Sequence, residues 1–421
     1  MHGLLSLELK KHPWSLHLAA LLGLLLLFAV PLGHHLGILT TTYRYVAGTR
    51  FPSYDPSPAT TMEQAAPGQR AAAKRQVLAD LKANPNLTAA KPTLALLSAI
   101  RDPLAERDYL TVDRLTLAAI TKHPEILDNI GRLDFIENTF TSSQLNLEAK
   151  QQILAYYVKH RINALPAIAS RGTAAAAVYG VFSHYGSHVW KWTMVGTRKH
   201  YFYKLNAGTT LTWVFLFYAA FVLTAALGYD QRHNTETLMR MTPRRDLRMV
   251  ATQAALTLAV IAVVLVALVG LAMLITAIVP GKRMGTLWQP VLHTTPASVY
   301  LTPMWQEIAL QLGMLWLWAA LLAGVAFLVT QLTDNPLLAL LMTCAAFFLA
   351  PLHVLDALPL AVQKVLPAFY TNPPAILAKA EPFNNTTPAS VFLVLAVWAV
   401  GFWAAAAVVQ QLRYRRLVLG H

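Results

Sequence analysis

From Val250 to Val279 the chain runs thirty residues without a charged side chain. A helix crosses hydrocarbon with about 20 apolar residues, so this run suits lipid and is long enough to tilt or to extend past a bilayer. Five further runs have the required length and apolarity: Leu16 to Ile38, Thr210 to Gly228, Ile308 to Leu332, Pro336 to Leu355 and Pro388 to Leu412. Only 13% of the residues are charged, against about 25% in soluble domains. The deficit is uneven: charge is sparse after Gly208 and ordinary between Thr40 and Leu205. The expectation is an all-α membrane protein with six transmembrane helices and one soluble insertion. Its divisions are 1–39 with the first span, 40–208 as the insertion, and 209–421 with spans two to six.

Orientation follows from Lys and Arg in the short loops. With the N-terminus inside, the inner segments hold Lys10, Lys11, five arginines between 229 and 249, and Arg413, Arg415 and Arg416. The outer short loops hold Lys282, Arg283, Lys364 and Lys379. Both termini are therefore expected in the cytoplasm and 40–208 outside a plasma membrane. Trp288, Tyr300 and Trp305 then fall near the outer interface as an aromatic belt. The net charge of +14 reads as a topology signal. No basic stripe with interleaved aromatics marks a nucleic-acid surface. No small-residue cleavage site follows the first run, which is expected to stay as a span. Thr173 to Gly196 carries one charge, Lys191, and reads either as an interfacial helix or as an extra span.

The insertion opens on prolines 52, 56, 58 and 67, which exclude regular helix. Helical spacing follows in Val77, Leu78 and Leu81, in Leu94, Leu97 and Ile100, and in Ile153, Leu154, Tyr157 and Val158. Asn84-Pro85, Asp102-Pro103 and His123-Pro124 punctuate it. A small, mainly α-helical extracellular domain is expected. The aromatics between Phe182 and Tyr203 suit an interfacial collar or a substrate-contacting surface.

Catalytic patterns are missing. The sequence has no phosphate-binding glycine loop, no His-Glu-x-x-His and no Gly-x-Ser-x-Gly. His184 and His188 share a helical face and have zinc spacing, but no third ligand lies nearby. Cys344, the one cysteine, reads as a packing residue. Glu307 and Asp334 lie at span edges, so no span holds a central acid or base. That disfavours ion-coupled carriers and membrane-embedded enzymes, which retain buried charge for function.

Three segments carry a resemblance. Leu4-Leu5-Ser6-Leu7-Glu8-Leu9-Lys10-Lys11 has apolar residues for lipid and terminal lysines for anionic headgroups. The basic 229–249 loop contains Thr235, Glu236, Leu238, Met239, Arg240, Met241, Thr242, Pro243, Arg244 and Arg245. After the fifth run comes an apolar, Pro-rich stretch with Leu366-Pro367-Ala368-Phe369-Tyr370-Thr371-Asn372-Pro373. Together with the span pattern, these resemble the permease subunits of type-2 ABC exporters, which have an N-terminal elbow helix, a coupling loop and an external re-entrant segment, here 351–387. The insertion lies outside the resemblance. The loop departs from the family pattern where Asn234 replaces a glycine, Arg240 interrupts the apolar run and Asp246 stands in place of an arginine.

The resemblance implies a transport subunit without its own ATPase, working with a cytoplasmic ABC ATPase that binds ATP and magnesium. It implies a second permease half, identical or related, in a lipid bilayer, and no nucleic acid or cofactor on this chain. Glu236, Leu238, Met239, Arg240, Met241, Pro243, Arg244 and Arg245 would couple to the ATPase. Trp213, Phe217 and Phe221 of the second span, with Phe347 and Phe348 of the fifth, would line the path of an amphipathic or peptide-like substrate. Packed or lipid-facing aromatics are the alternative there. The alternative function is a non-transporting membrane sensor or assembly protein whose outer domain binds a peptide or envelope component.

Overall fold

The computed structural model describes residues 9, 12–35, 90–106, 108–126, 143–163, 174–183, 189–192, 200–203, 207–228, 247–278, 284–294, 299–333, 335–350, 352, 354–380, 382–383 and 385–419. They are mostly helical. In chain order they form α1 (Trp14–His35), α2 (Ala90–Ala105), α3 (Tyr109–Lys122), α4 (Ser143–Lys159) and α5 (Ala174–Ser183). A strand pair follows, β1 (Val189–Trp192) and β2 (His200–Tyr203), then α6 (Ala207–Leu227) and α7 (Leu247–Ile278). A second pair, β3 (Pro290–Thr294) and β4 (Val299–Pro303), leads into α8 (Met304–Thr333) and α9 (Pro336–Phe348). Two short helices, α10 (Leu360–Gln363) and α11 (Pro373–Leu377), precede α12 (Pro388–Leu419). The chain divides into two compact units.

The first unit comprises Met1–Pro31, Val181–Ala272 and Ile308–His421. Four helices are long and apolar enough to cross a membrane, over Thr210–Leu227, Val250–Ile278, Met304–Thr333 and Pro388–Leu412. This marks a membrane protein. Apolar all round, these helices have no polar stripe to turn toward water. Helices α6 and α8 are the most buried of the four, with Trp318, Leu321, Leu322, Ala323 and Phe327 of α8 closed off from solvent. Glycines bring α12 close: a Cβ on Gly324 would lie 3.0 Å from Phe402 Cβ and 3.3 Å from the Trp403 amide nitrogen. Small residues serve this purpose where helices pack in lipid.

Helix α1 runs over 22 residues, Trp14–His35, close to the length expected of the first span. One expected span comes out shorter. The run Pro336–Leu355 is a correction: its helix stops at Phe348 after 13 residues, about 20 Å at 1.5 Å per residue. That is less than the roughly 30 Å of a hydrocarbon core. Pro351 explains the stop, since proline has no N–H to donate to the Phe347 carbonyl. Of the expected elbow, only Leu9 is described, as helix; its carbonyl accepts the Trp14 indole N–H at 3.0 Å.

The second unit comprises Leu32–Gly180 and Met273–Glu307. Its helical core joins Leu96 and Ile100 of α2, Val112 and Ile120 of α3, Ile126 of the short turn Pro124–Ile126 that follows, and Leu154 of α4. Asp108 caps α3, accepting the Thr111 amide at 3.2 Å. The antiparallel hairpin β3–β4, in register Val291 with Thr302 and His293 with Tyr300, packs on α4. Glu307 is buried and accepts from Tyr179 Oη at 2.7 Å and Thr302 Oγ1 at 2.6 Å.

Strands thus enter a chain expected to be all helix. Between 173 and 203 the structure forms the ten-residue α5 and the hairpin β1–β2, with Trp190 paired to Phe202. Ten helical residues span about 15 Å, too few for the extra crossing that composition allowed. Val-Trp-Lys-Trp and His-Tyr-Phe-Tyr favour strands because β-branched and aromatic side chains fit a pleated surface.

Candidate functional site

Helix α6 places Trp213, Phe217 and Phe221 four residues apart, one turn each, so they form one row. Helix α9 brings Phe347 and Phe348 against it. Trp213 lies 5.8 Å from Phe347 and 5.9 Å from Phe348 between ring centroids. Phe217 lies 5.4 and 5.2 Å from the same two rings, edge-on. Four of the five path residues expected from sequence therefore meet in one seam. Phe347 is fully buried, while Phe217 and the next residue along the row, Phe221, are exposed. The seam carries no titratable group, so it can bind an apolar surface but cannot do acid–base chemistry.

Beside it the chain leaves regular helix and stays buried. Ala368, Phe369, Tyr370 and Pro373 to Leu377 are all closed off. Asn372 caps α11 through its side chain, accepting the Ala375 amide at 3.4 Å, with Pro373 in the first turn where no N–H is needed. Irregular backbone has spare carbonyls, and tryptophans answer them. Trp318 Nε1 donates to the Tyr370 carbonyl at 2.9 Å, and Trp398 Nε1 to the Val365 carbonyl at 2.7 Å. The Tyr370 hydroxyl donates to the Lys364 carbonyl at 2.7 Å. Trp318 sits about 21 Å along α8 by helical rise, near its middle, so this segment lies level with the central turns of a span-length helix. Sequence alone singles out the Pro-rich segment but not its two indole donors. The available signal was a tryptophan far inside a span, whose N–H needs a partner when buried.

At the start of α1, His17 Nδ1 and Tyr218 Oη share a hydrogen bond of 2.5 Å. The His12 and His17 rings stack at 4.7 Å and 13°. Both Nε2 atoms are buried and meet no hydrogen-bond partner among the described residues. Parallel rings send their lone pairs side by side, not to one point, so the pair is not shaped to share a metal. Among the described residues no group of three or more His, Cys, Asp or Glu is placed to hold one. His184 and His188 lie outside the described residues.

The coupling residues Glu236, Leu238, Met239, Arg240, Met241, Pro243, Arg244 and Arg245 also lie outside them. The root of their loop is described: Gln253 Nε2 on α7 donates to the Ala226 carbonyl of α6 at 2.7 Å. This ties the two helices that bracket the loop.

No protein-family model, curated protein or solved structure matches the chain.

The site therefore rests on its own geometry: an aromatic seam, a buried break in the helical array, and a loop whose flanking helices are tied together.

Proposed function

We propose that this chain is the membrane-spanning subunit of an ABC exporter, moving an amphipathic or peptide-like substrate outward while a separate cytoplasmic subunit hydrolyses ATP. The observation that carries this reading is the Pro-rich stretch from Leu360 to Leu377, buried over Ala368–Thr371 and Pro373–Leu377 and tied to α8 and α12 by Trp318 and Trp398. Non-helical backbone at membrane depth is tolerated only where protein buries it or it lines a cavity. In this reading α1 and the α9 region complete six crossings, and residues before Trp14 lie along the inner leaflet.

The loop between α6 and α7 takes the push. Its apolar residues Leu238, Met239 and Met241 seat in the ATPase, and Glu236 with the arginines sets register at the rim. The Gln253 bond makes α6 and α7 respond together. Because α6 carries Trp213 and Phe217, a shift of that helix is felt at once by Phe347 and Phe348. Two such halves rotating against each other would open and close the path between them.

Co-expression with the ATPase should recover a complex. Glu236→Ala and Pro243→Ala should each lower ATP-driven transport, by roughly tenfold if about 1.4 kcal/mol of coupling is lost, with the complex still assembled. In a Cys344→Ala background, a cysteine placed in the insertion should react with an impermeant reagent from outside intact cells. A chain that never binds an ATPase, or labelling only after lysis, overturns the reading. The first result would leave the sensor or assembly protein in its place.

A further inference from the structure

The end of α4 carries a strained residue where glycine would be unstrained. The His160, Arg161 and Ile162 amides donate back to the Tyr156, Val158 and Tyr157 carbonyls at 2.9, 3.3 and 3.0 Å. Ile162 packs on Tyr157. These are the bonds and the apolar contact of a Schellman closure. Its turning residue, Arg161, sits at φ 51°, where a Cβ crowds the following carbonyl and glycine is the usual occupant. An arginine held there signals a use for its side chain.

Beside it lies a row of aromatic rings. Tyr156 and His160 are 4.2 Å apart between centroids, His160 stacks on Trp288 at 6.0 Å and 21°, and Trp288 meets Trp305 edge-on at 5.6 Å. Trp288 is 52% exposed, Trp305 42% and Met284 47%. Lys159, His160 and Arg161 are exposed as well. The indoles are anchored through their backbone: the Trp305 amide donates to the Leu287 carbonyl at 3.0 Å, and the Met304 amide to the Gln289 carbonyl at 2.9 Å. Trp305 is the second residue of α8, about one turn before that helix's uncharged run begins at Ile308. The acid on the same turn, Glu307, is buried and hydrogen-bonded, so it does not neutralise the exposed cations.

We propose that Lys159, Arg161, Trp288 and Trp305 form a lip that binds the headgroups of anionic phospholipid in the bilayer that α8 crosses. Indoles favour the interfacial layer, with the ring toward acyl chains and the N–H toward water. The guanidinium can take a phosphate with two parallel hydrogen bonds, and Lys159 adds a second charge. The lip rests on the membrane-crossing role of α8 and is independent of any ATPase.

The test uses the full chain in a Cys344→Ala background, reconstituted in bilayers of phosphatidylcholine alone or with equal parts phosphatidylglycerol. A nitroxide on His160→Cys reports exposure to a water-soluble nickel chelate. A second label on Val266→Cys, in the apolar stretch of α7, reports insertion independently. Phosphatidylglycerol should shield the label at 160. Lys159→Ala and Arg161→Gly should each weaken that dependence on phosphatidylglycerol by about fivefold, the worth of one interfacial charge. Arg161→Gly relieves the backbone, so its loss of shielding cannot come from misfolding. A label equally shielded in both bilayers, or in neither, overturns the lip. So does shielding in phosphatidylcholine produced by soluble glycerol phosphate, which would mark a site for a free anion. A water-exposed label at 266 would overturn the membrane reading itself.

Discussion

Asp113 lies in the helical core of the second unit, 1% exposed, and its Oδ2 meets no hydrogen-bond partner among the described residues. Burial pushes its carboxyl up to about 8. The unfolded chain loses this proton near pH 4, and the folded chain keeps it to about 8. Between those values the folded state binds more protons, so its stability falls as pH rises. It is fully present below about pH 4 and lost by the time the folded carboxyl ionises. Thermal unfolding of the purified chain should therefore weaken from about pH 5 to about pH 8, and Asp113→Asn should flatten that slope. A wild-type profile that rises over this range would contradict the protonated, buried state. Arg161 makes the opposite trade at the end of α4. Replacing it by glycine removes αL strain at φ 51° and gives the unfolded chain more freedom, leaving a net gain of about 0.5–1 kcal/mol. A Tm unchanged or lowered in Arg161→Gly would mean that the arginine is held by contacts worth more than the strain.

Among the elements, α8 meets α12 through two glycines that are not equivalent. At Gly313 an added Cβ would approach the tip of the Phe392 ring at 2.9 Å, and that ring can rotate away. At Gly324 it would meet Phe402 Cβ and the Trp403 amide nitrogen at 3.0 and 3.3 Å, and backbone cannot yield in the same way. Gly324→Ala should thus destabilise the unit by about 1–3 kcal/mol, the range of overpacking, and Gly313→Ala by clearly less. Equal melting temperatures for the two variants would refute the close approach. The same helix holds the broken segment through Trp318. Trp318→Phe keeps a ring but leaves the Tyr370 carbonyl without its donor, at a cost of about 1–3 kcal/mol. The expected sign is faster hydrogen exchange in Pro367–Tyr370 than elsewhere in the chain.

Across the whole molecule, what could be read from sequence divides along physical lines. Four spans were legible because apolarity over about 20 residues is a local property. The early stop of α9 was present in Pro351, but a hydropathy reading runs through a proline that a helix cannot easily continue past. Helical spacing placed α2 and α4 in the insertion. The hairpins were not seen. Pairing Val189 with Tyr203 or Pro290 with Pro303 depends on partners many residues away, and the aromatics of the first also suit a membrane interface. Nor does sequence show that Met273–Glu307 joins the insertion in one compact unit while Val181–Ala272 groups with the long helices. For the candidate site, the five aromatic residues could be nominated but not paired. Contact between α6 and α9 is set by packing across more than a hundred residues of chain. The tie from Trp398 to Val365 spans 33 residues, and Trp398 is made after the segment it holds. A ribosome that has not yet released Trp398 therefore leaves the Pro-rich stretch with one of its two indole ties, the one from Trp318. Its final seating must wait for the last long helix to enter the bilayer.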